Sequence, residues 1–322
     1  NAEATTTTGV MLIQTAGKIV NQYYNSKLND DVDYVIYSDT DSLFASSVPL
    51  LKEIDKNNHT AMMEETLKIA TDVQNYINKM LDMMSRKLFN VKNHKFCIKQ
   101  EMIAESAIWL AKKRYAQWIV NSGGIVVDKM DVKGIDVVRT SFPPRFSKVL
   151  EKIIRMILKG SSQEEIDVVI IEFEENLKDI PLIEGAKSTS VKFVSLDEKK
   201  HYNPNSRKSF EIVLGSPAQV KAALYYNDLL KQWNLHKIYE PIFHGQKIRF
   251  IYLKDNEYGV DALALKADGT DPKQMIEFAE KYVDRRKMYE QELKSKISDF
   301  YGVLNWNYPT LEGKKAAEFF SF

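Results

Sequence analysis

Residues 34–46 read Tyr-Val-Ile-Tyr-Ser-Asp-Thr-Asp-Ser-Leu-Phe-Ala-Ser, which places two aspartates between two apolar runs. The apolar residues favour two pleated strands, so residues 38–42 are predicted to form the tip of a β-hairpin. Two carboxylates one residue apart repel each other unless a cation compensates, which makes Asp39 and Asp41 candidate ligands of a hard divalent metal such as Mg²⁺. Acids are also common in turns that bind no metal, so the pair alone leaves both interpretations open.

The composition is typical of a globular chain with a large core and no excess of either charge. The 322 residues are 44% hydrophobic and 28% charged, enough for one large or two ordinary domains. With a net charge of +1, any surface for DNA must come from local groups of Lys and Arg. The only cysteine, Cys97, excludes an intrachain disulfide framework and is expected to be a buried strand residue. No apolar run reaches about 18 residues and no signal-peptide pattern is present, so neither membrane insertion nor secretion is expected.

Apolar spacing predicts an α+β fold in which helices pack on an antiparallel sheet. Residues 3–29 and 60–89 repeat apolar side chains at helical spacing. Residues 96–138 alternate as strands, with a turn at Gly123-Gly124. Because Pro143-Pro144 cannot continue a strand ladder, we place a domain boundary there.

The second domain is predicted to be mostly helical, with one small sheet. Ser162 and Glu165 form a capping-box pattern, and Ser216 with Pro217 is typical of a helix start. The predicted elements are helices over 145–159, 162–179 and 271–294, a helix from Ser216, a loop over 187–209 and a sheet over 247–266.

Three motifs resemble those of family B DNA polymerases, in the same order along the chain. Residues 37–42 (YSDTDS) match the Y-x-D-T-D-S metal motif at every fixed place. Residues 112–115 (KKRY) look like the K-K-R-Y strand, and residues 133–134 (KG), followed by Arg139, are similar to the K-G segment before the thumb. The resemblance implies an antiparallel-sheet palm with packed helices, followed by the mostly helical thumb.

The resemblance also implies that the hairpin supplies one carboxylate of a two-metal Mg²⁺ site for nucleotide transfer. It makes Asp41 the bridging ligand and gives Asp39 a supporting role. Glu101, on a strand expected beside the hairpin, is either a third acid near the metals or a surface glutamate. The implied DNA-binding residues are Lys112, Lys113, Arg114, Tyr115, Lys133, Gly134, Arg139, Lys221, Tyr226 and Asn227.

These DNA-binding residues fall on three predicted elements. Residues 112–115 are expected in one strand, with Lys112 and Arg114 on the same face; without context they would describe a cationic edge strand. Gly134 is expected to let a DNA phosphate approach the backbone closely. A thumb helix over 218–227 is expected to lie along the product duplex.

By resemblance the chain divides into a palm portion (1–142), a thumb (143–310) and a C-terminal tail (311–322). In replicative polymerases of T4-like phages a similar aromatic peptide docks on the sliding clamp, so Phe319, Phe320 and Phe322 are assigned to clamp binding. The alternative is a tail that folds back on its own thumb. A phage polymerase would act in the host cytoplasm.

Three features that precede the hairpin in the family are missing from this sequence. They are the D-x-x-S-L-Y-P-S strand with the other metal aspartate, the K-x-x-x-N-S-x-Y-G helix for the incoming triphosphate, and the exonuclease domain. We therefore expect a C-terminal polymerase portion that uses primer-template DNA and dNTPs and needs an N-terminal portion, as a separate subunit or as missing sequence. The alternative is a non-catalytic module that binds duplex DNA and the clamp. A magnesium nuclease is disfavoured because no further acid cluster lies near the hairpin.

Overall fold

The computed structural model describes residues 2–193, 200–201, 211–212 and 216–310. The chain divides into two compact units, which we describe separately. Unit 1 comprises residues 1–108 and 117–131, and unit 2 comprises residues 109–116 and 132–322. The boundary predicted at Pro143-Pro144 stays a prediction.

Unit 1 is built on two long helices, α1 (Ala2–Leu28) and α2 (His59–Leu88), with a hairpin of β1 (Val35–Asp39) and β2 (Ser42–Ala45) between them. These elements confirm the helices predicted over 3–29 and 60–89 and the hairpin tip. The two helices bury one shared apolar core, and residues of both strands pack against it. Its buried members are Ala16, Ile19, Val20, Tyr24, Tyr34, Val73, Ile77 and Leu81.

A separate three-stranded sheet follows, with the order β3 (Met102–Ala111), β4 (Arg114–Ser122) and β5 (Ile125–Lys133). Two-residue connections make neighbouring strands antiparallel. Gly123 and Gly124 form the predicted turn, with φ of +59° and +86°.

The segment before β3 was expected to be a strand, and this prediction is wrong. The backbone of this segment is bound by side chains of α2 and not by a neighbouring strand. Asn78 donates to the Ile98 carbonyl (2.9 Å) and accepts from its amide (2.8 Å), while Gln74 accepts from the Gln100 amide (2.7 Å). Cys97 is consequently exposed rather than buried.

Unit 2 begins its helical part at α3 (Pro144–Leu158) and α4 (Gln163–Glu175), followed by the short α5 (Leu182–Gly185). The predicted capping box is confirmed: Ser162 accepts from the Glu165 amide and Glu165 accepts from the Ser162 amide. α4 ends before the predicted position, and a 3-10 turn (Leu177–Asp179) follows it.

The predicted small sheet is present and includes a strand outside the predicted range. Its order is β10-β9-β6, with β6 (Lys187–Ser190) in a segment predicted as loop. β6 is polar but pairs antiparallel with β9, which satisfies its backbone. The remaining elements are β7 (Lys200–His201), β8 (Glu211–Ile212), α6 (Ala218–Gln232), β9 (Lys247–Tyr252) and β10 (Ala262–Lys266).

The long helix predicted over 271–294 is interrupted. α7 (Lys273–Tyr282) ends because residues 252–254 pair with the chain at 282–284, and Asp284 then caps α8 (Arg285–Met288). A π-helical turn (Tyr289–Lys294) and α9 (Ser295–Leu304) continue from there. The α+β class with antiparallel sheets is confirmed. Among the described residues, no helix is long and apolar enough to span a membrane.

Candidate functional site

Helix α1 holds both ends of the β1–β2 hairpin. At the entrance, the Asn21 side chain accepts from the Tyr34 amide (2.9 Å) and donates to Asp33 (2.8 Å). At the exit, the Tyr24 hydroxyl bonds the Ser47 hydroxyl (3.1 Å). The hairpin tip therefore extends from a fixed base.

The tip itself is a tight turn centred on Thr40. The Asp41 amide donates to the Asp39 carbonyl (2.6 Å), and the Ser42 hydroxyl donates to the same oxygen (3.2 Å). Thr40 has φ +52°, a left-handed conformation that is unusual for a β-branched residue and costs about 1–3 kcal/mol. Such strain is most often found where a side chain must be presented in one particular direction.

The two aspartates differ in their surroundings. Asp39 is half-buried, and its carboxylate accepts from the Thr40 hydroxyl (3.1 Å). Asp41 is exposed, and its carboxylate makes no hydrogen bond or ion pair with the described part of the chain. Carboxylate oxygens are the hard ligands that Mg²⁺ prefers, so this donor set fits the ion. Within the described residues, no group of three or more His, Cys, Asp or Glu is placed to hold a metal.

Glu101 lies outside the strand on which it was expected. It precedes β3, is exposed, and accepts from the Gly123 amide with its backbone carbonyl (2.7 Å). The hairpin and β3 also belong to different sheets. The prediction of a strand beside the hairpin is therefore wrong, and a role for Glu101 near the metals stays a prediction.

The predicted strand over residues 112–115 is also wrong, because a turn divides it. Lys112 and Lys113 connect β3 to β4, and Lys113 has φ +61°, so the four residues cannot alternate between two faces. Arg114 begins β4, and Tyr115 packs near Trp109 with ring centroids 6.2 Å apart.

Gly134 lies close to the backbone of the turn that connects β3 to β4. It has φ +67°, and a Cβ at this position would lie only 2.0 Å from the Lys113 carbonyl oxygen. The structure thus brings together two predicted DNA-binding segments, the Lys112–Lys113 turn and Lys133-Gly134. A close approach of a DNA phosphate to the Gly134 backbone stays a prediction.

Ion pairs connect these two segments to α9, the last helix of the described chain. Asp136 pairs with Arg139 (3.1 Å) and with Lys296 of α9 (3.5 Å). Arg114 pairs with Asp299, also on α9 (2.9 Å). Sequence reasoning missed Asp136, Lys296 and Asp299, because nothing local indicates that α9 reaches a turn far earlier in the chain.

A family model for DNA polymerase family B matches residues 1–203, more than half of the chain. The chain belongs to DNA polymerase family B. No curated protein matches the sequence. Membership in DNA polymerase family B implies DNA-directed DNA polymerase activity, with primer-template DNA and dNTPs as ligands. The matched residues contain the Asp39–Asp41 turn and the contact between Lys113 and Gly134.

Helix α6 lies outside the matched residues, and its side chains that were expected to bind DNA contact other parts of the protein. Tyr226 is fully buried in α6, and burial together with the nearby Asp271 raises the pKa of its hydroxyl. Asn227 bonds both backbone groups of Ile242 (2.9 and 2.7 Å). Lys221 pairs with Asp261 (2.7 Å). Such burial leaves no surface for a DNA contact by Tyr226, which corrects that assignment.

The residues assigned to clamp binding lie beyond the described part of the chain, which ends at 310. They are Phe319, Phe320 and Phe322.

Proposed function

We propose that this family B polymerase chain contributes Asp41 as a metal ligand for template-directed DNA synthesis, adding deoxynucleotides to a primer 3′-hydroxyl. One observation carries the proposal: Asp41 is exposed and unpaired among the described residues at the tip of an anchored hairpin. Asp39 and Thr40 maintain the turn that presents Asp41. Bound Mg²⁺ would stabilise charge on the attacking and leaving oxygens of phosphoryl transfer.

The site requires carboxylates beyond this turn. A two-metal site needs more than Asp39 and Asp41, and the described residues provide no larger acidic group. Among the described residues, β1 and β2 form a sheet of only two strands. Such a sheet is marginally stable alone, and its edges can pair with another strand. We infer that a further strand, from a polypeptide segment outside the described residues, pairs with the hairpin and supplies the other carboxylate.

Cations of unit 2 are the proposed contacts to primer-template DNA. Lys112 and Lys113 are exposed on one turn, and Gly134 holds Lys133 beside that turn. Arg139 keeps more than half of its side chain exposed while paired with Asp136. Contacts of this kind bind phosphates without reading sequence, which suits an enzyme that copies any template.

The proposal is tested by primer extension with the assembled polymerase, obtained by co-expressing this chain with the family B segment that carries the other metal aspartate. We expect Mg²⁺-dependent incorporation that requires both polypeptides. Duplex binding without incorporation would instead support the non-catalytic module and contradict polymerase activity.

From the resemblance we further propose that the chain is part of a T4-like phage polymerase, that it acts in the host cytoplasm and that it binds the sliding clamp. A few aromatic anchors can carry most of the energy of an interface, and the tail at 311–322 contains Phe319, Phe320 and Phe322. Fluorescence anisotropy of a labelled 311–322 peptide should rise on adding the cognate clamp. A peptide with all three phenylalanines changed to alanine is the control, and equal anisotropy for both peptides would contradict clamp binding.

A further inference from the structure

Helix α3 carries a row of basic side chains on its outer face. They recur at intervals of three or four residues, so in a helix they share one face, which we call the α3 basic stripe. The opposite face is apolar and buried, with Phe146, Leu150 and Ile153 in the core. The members of the stripe are Arg145, Lys148, Lys152, Arg155 and Lys159.

The stripe is exposed and only partly neutralised. All five side chains face solvent, and Arg145, Lys148 and Lys152 make no hydrogen bond or ion pair with the described residues. The single acid of α3, Glu151, pairs with Arg155 at 3.4 Å. The first three members of the stripe therefore present positive charge that nothing in the described chain balances.

The first three members of the stripe do not stabilise the helix that carries them. Arg145 lies in the first turn, where the helix dipole disfavours a cation, and that turn has no acidic residue. Lys148 and Lys152 are four residues apart, a spacing at which like charges repel. An ordinary solvated helix face mixes both signs, so this arrangement indicates an external anionic partner.

The dimensions and the side chains fit the backbone of duplex DNA. From Arg145 to Lys159 the stripe is roughly 21 Å long at about 1.5 Å per residue, a length of duplex axis over which each strand carries about six phosphates. Phe146, the only aromatic residue of α3, is 1% exposed. The stripe thus lacks the aromatic platforms on which proteins stack the bases of single strands.

The stripe also begins beside a proposed DNA contact. The Ser147 hydroxyl donates to the Val137 carbonyl (3.2 Å), which joins α3 to the short 3-10 turn Asp136–Val138. Asp136 at the start of that turn pairs with Arg139. The start of α3, with Arg145 and Lys148, therefore lies next to the turn that holds Arg139.

We propose that the α3 basic stripe binds the phosphate backbone of the duplex on which the polymerase acts. This inference rests on the proposed function in DNA synthesis and adds a binding surface to it. Each phosphate contact releases counterions, so the stripe contributes to the salt dependence of duplex affinity.

The test is the salt dependence of binding of the full chain to a fluorescein-labelled 24-base-pair duplex. Changing Arg145, Lys148 and Lys152 to glutamine should reduce the slope of log K against log salt by about 0.9 for each phosphate that the protein no longer neutralises. A charge-matched control changes Lys178, Lys231 and Lys237, which are exposed in the same unit on other elements. Exchanging Lys and Arg within the stripe preserves charge and should preserve the slope. Circular dichroism verifies the fold of every variant.

Equal slopes for the stripe variant and the control variant would overturn the proposal. An equal loss of affinity for a labelled 24-nucleotide single strand would overturn the assignment to duplex DNA. Mg²⁺-dependent primer extension separates this failure from failure of the proposed function. Intact extension with an unchanged slope refutes the stripe alone, whereas no extension by the assembled polymerase refutes the function itself.

Discussion

Replacing Asp41 with asparagine should lower nucleotide incorporation by the assembled polymerase by about a hundredfold to a thousandfold, the scale seen when a group that stabilises transition-state charge is removed. Asparagine retains the shape of the side chain but loses the charge that a metal ligand needs. Because the Asp41 carboxylate is exposed and makes no hydrogen bond or ion pair within the described chain, the fold should tolerate the change. Single-turnover primer extension at saturating dNTP measures the chemical step.

Two control variants separate this effect from a general loss of charge. Asp39→Asn should reduce the rate much less, because Asp39 already accepts from Thr40 and acts mainly through the turn. Glu53→Gln removes an exposed acid of the same unit that has no assigned role, and it should leave the rate unchanged. An Asp41→Asn rate within tenfold of wild type would contradict the assignment of Asp41.

Gly134→Ala should strongly destabilise unit 2. The new Cβ would meet the Lys113 carbonyl oxygen at 2.0 Å, and the φ of +67° is strained for any L side chain. Left-handed strain and overpacking each cost about 1–3 kcal/mol, so the free energy of unfolding should fall by about 2–6 kcal/mol. Chemical denaturation followed by circular dichroism measures the loss.

Gly160→Ala is the matched control for this prediction. Gly160 has φ +79°, but a Cβ there would meet nothing within 4 Å, so only the conformational strain applies. A loss of about 1 kcal/mol is expected. Equal losses for the two variants would show that the Lys113 carbonyl does not approach Gly134 as described.

The parts of the fold that could be predicted from the sequence depend on local patterns. The repeat of apolar residues is enough to identify α1 and α2, and the Ser162 and Glu165 pattern identifies the start of α4. In the same way, two apolar runs around Asp39 and Asp41 are enough to predict the hairpin. Each of these features is determined within one element, so no knowledge of distant contacts is needed.

The parts that could not be predicted depend on contacts between distant segments. Val283 interrupts the helical pattern because Leu253 bridges to it, and the apolar spacing does not record that bridge. Ile98 is held by Asn78 of α2, so an alternating segment does not become a strand. The sequence carries no signal for either contact.

In the candidate site, too, some residues are identified by local sequence and others only by distant contacts. Asp41 is identified by a motif whose residues are adjacent in the chain. Asp299 pairs with Arg114, and Lys296 pairs with Asp136, only because α9 folds back on this part of the chain. The close contact of Gly134 with the Lys113 carbonyl could not be predicted either, since it depends on the left-handed conformation of both residues.

The most direct test of the central claim is a change in metal preference. In a Cys97→Ser background, Asp41→Cys replaces a hard oxygen ligand with a soft thiolate, which Cd²⁺ and Mn²⁺ accept better than Mg²⁺. If Asp41 binds the catalytic metal, the ratio of incorporation rates with Cd²⁺ or Mn²⁺ to that with Mg²⁺ should rise at least about tenfold over wild type, while Glu53→Cys leaves it unchanged. The same ratio for Asp41→Cys and wild type would contradict a metal-ligand role for Asp41.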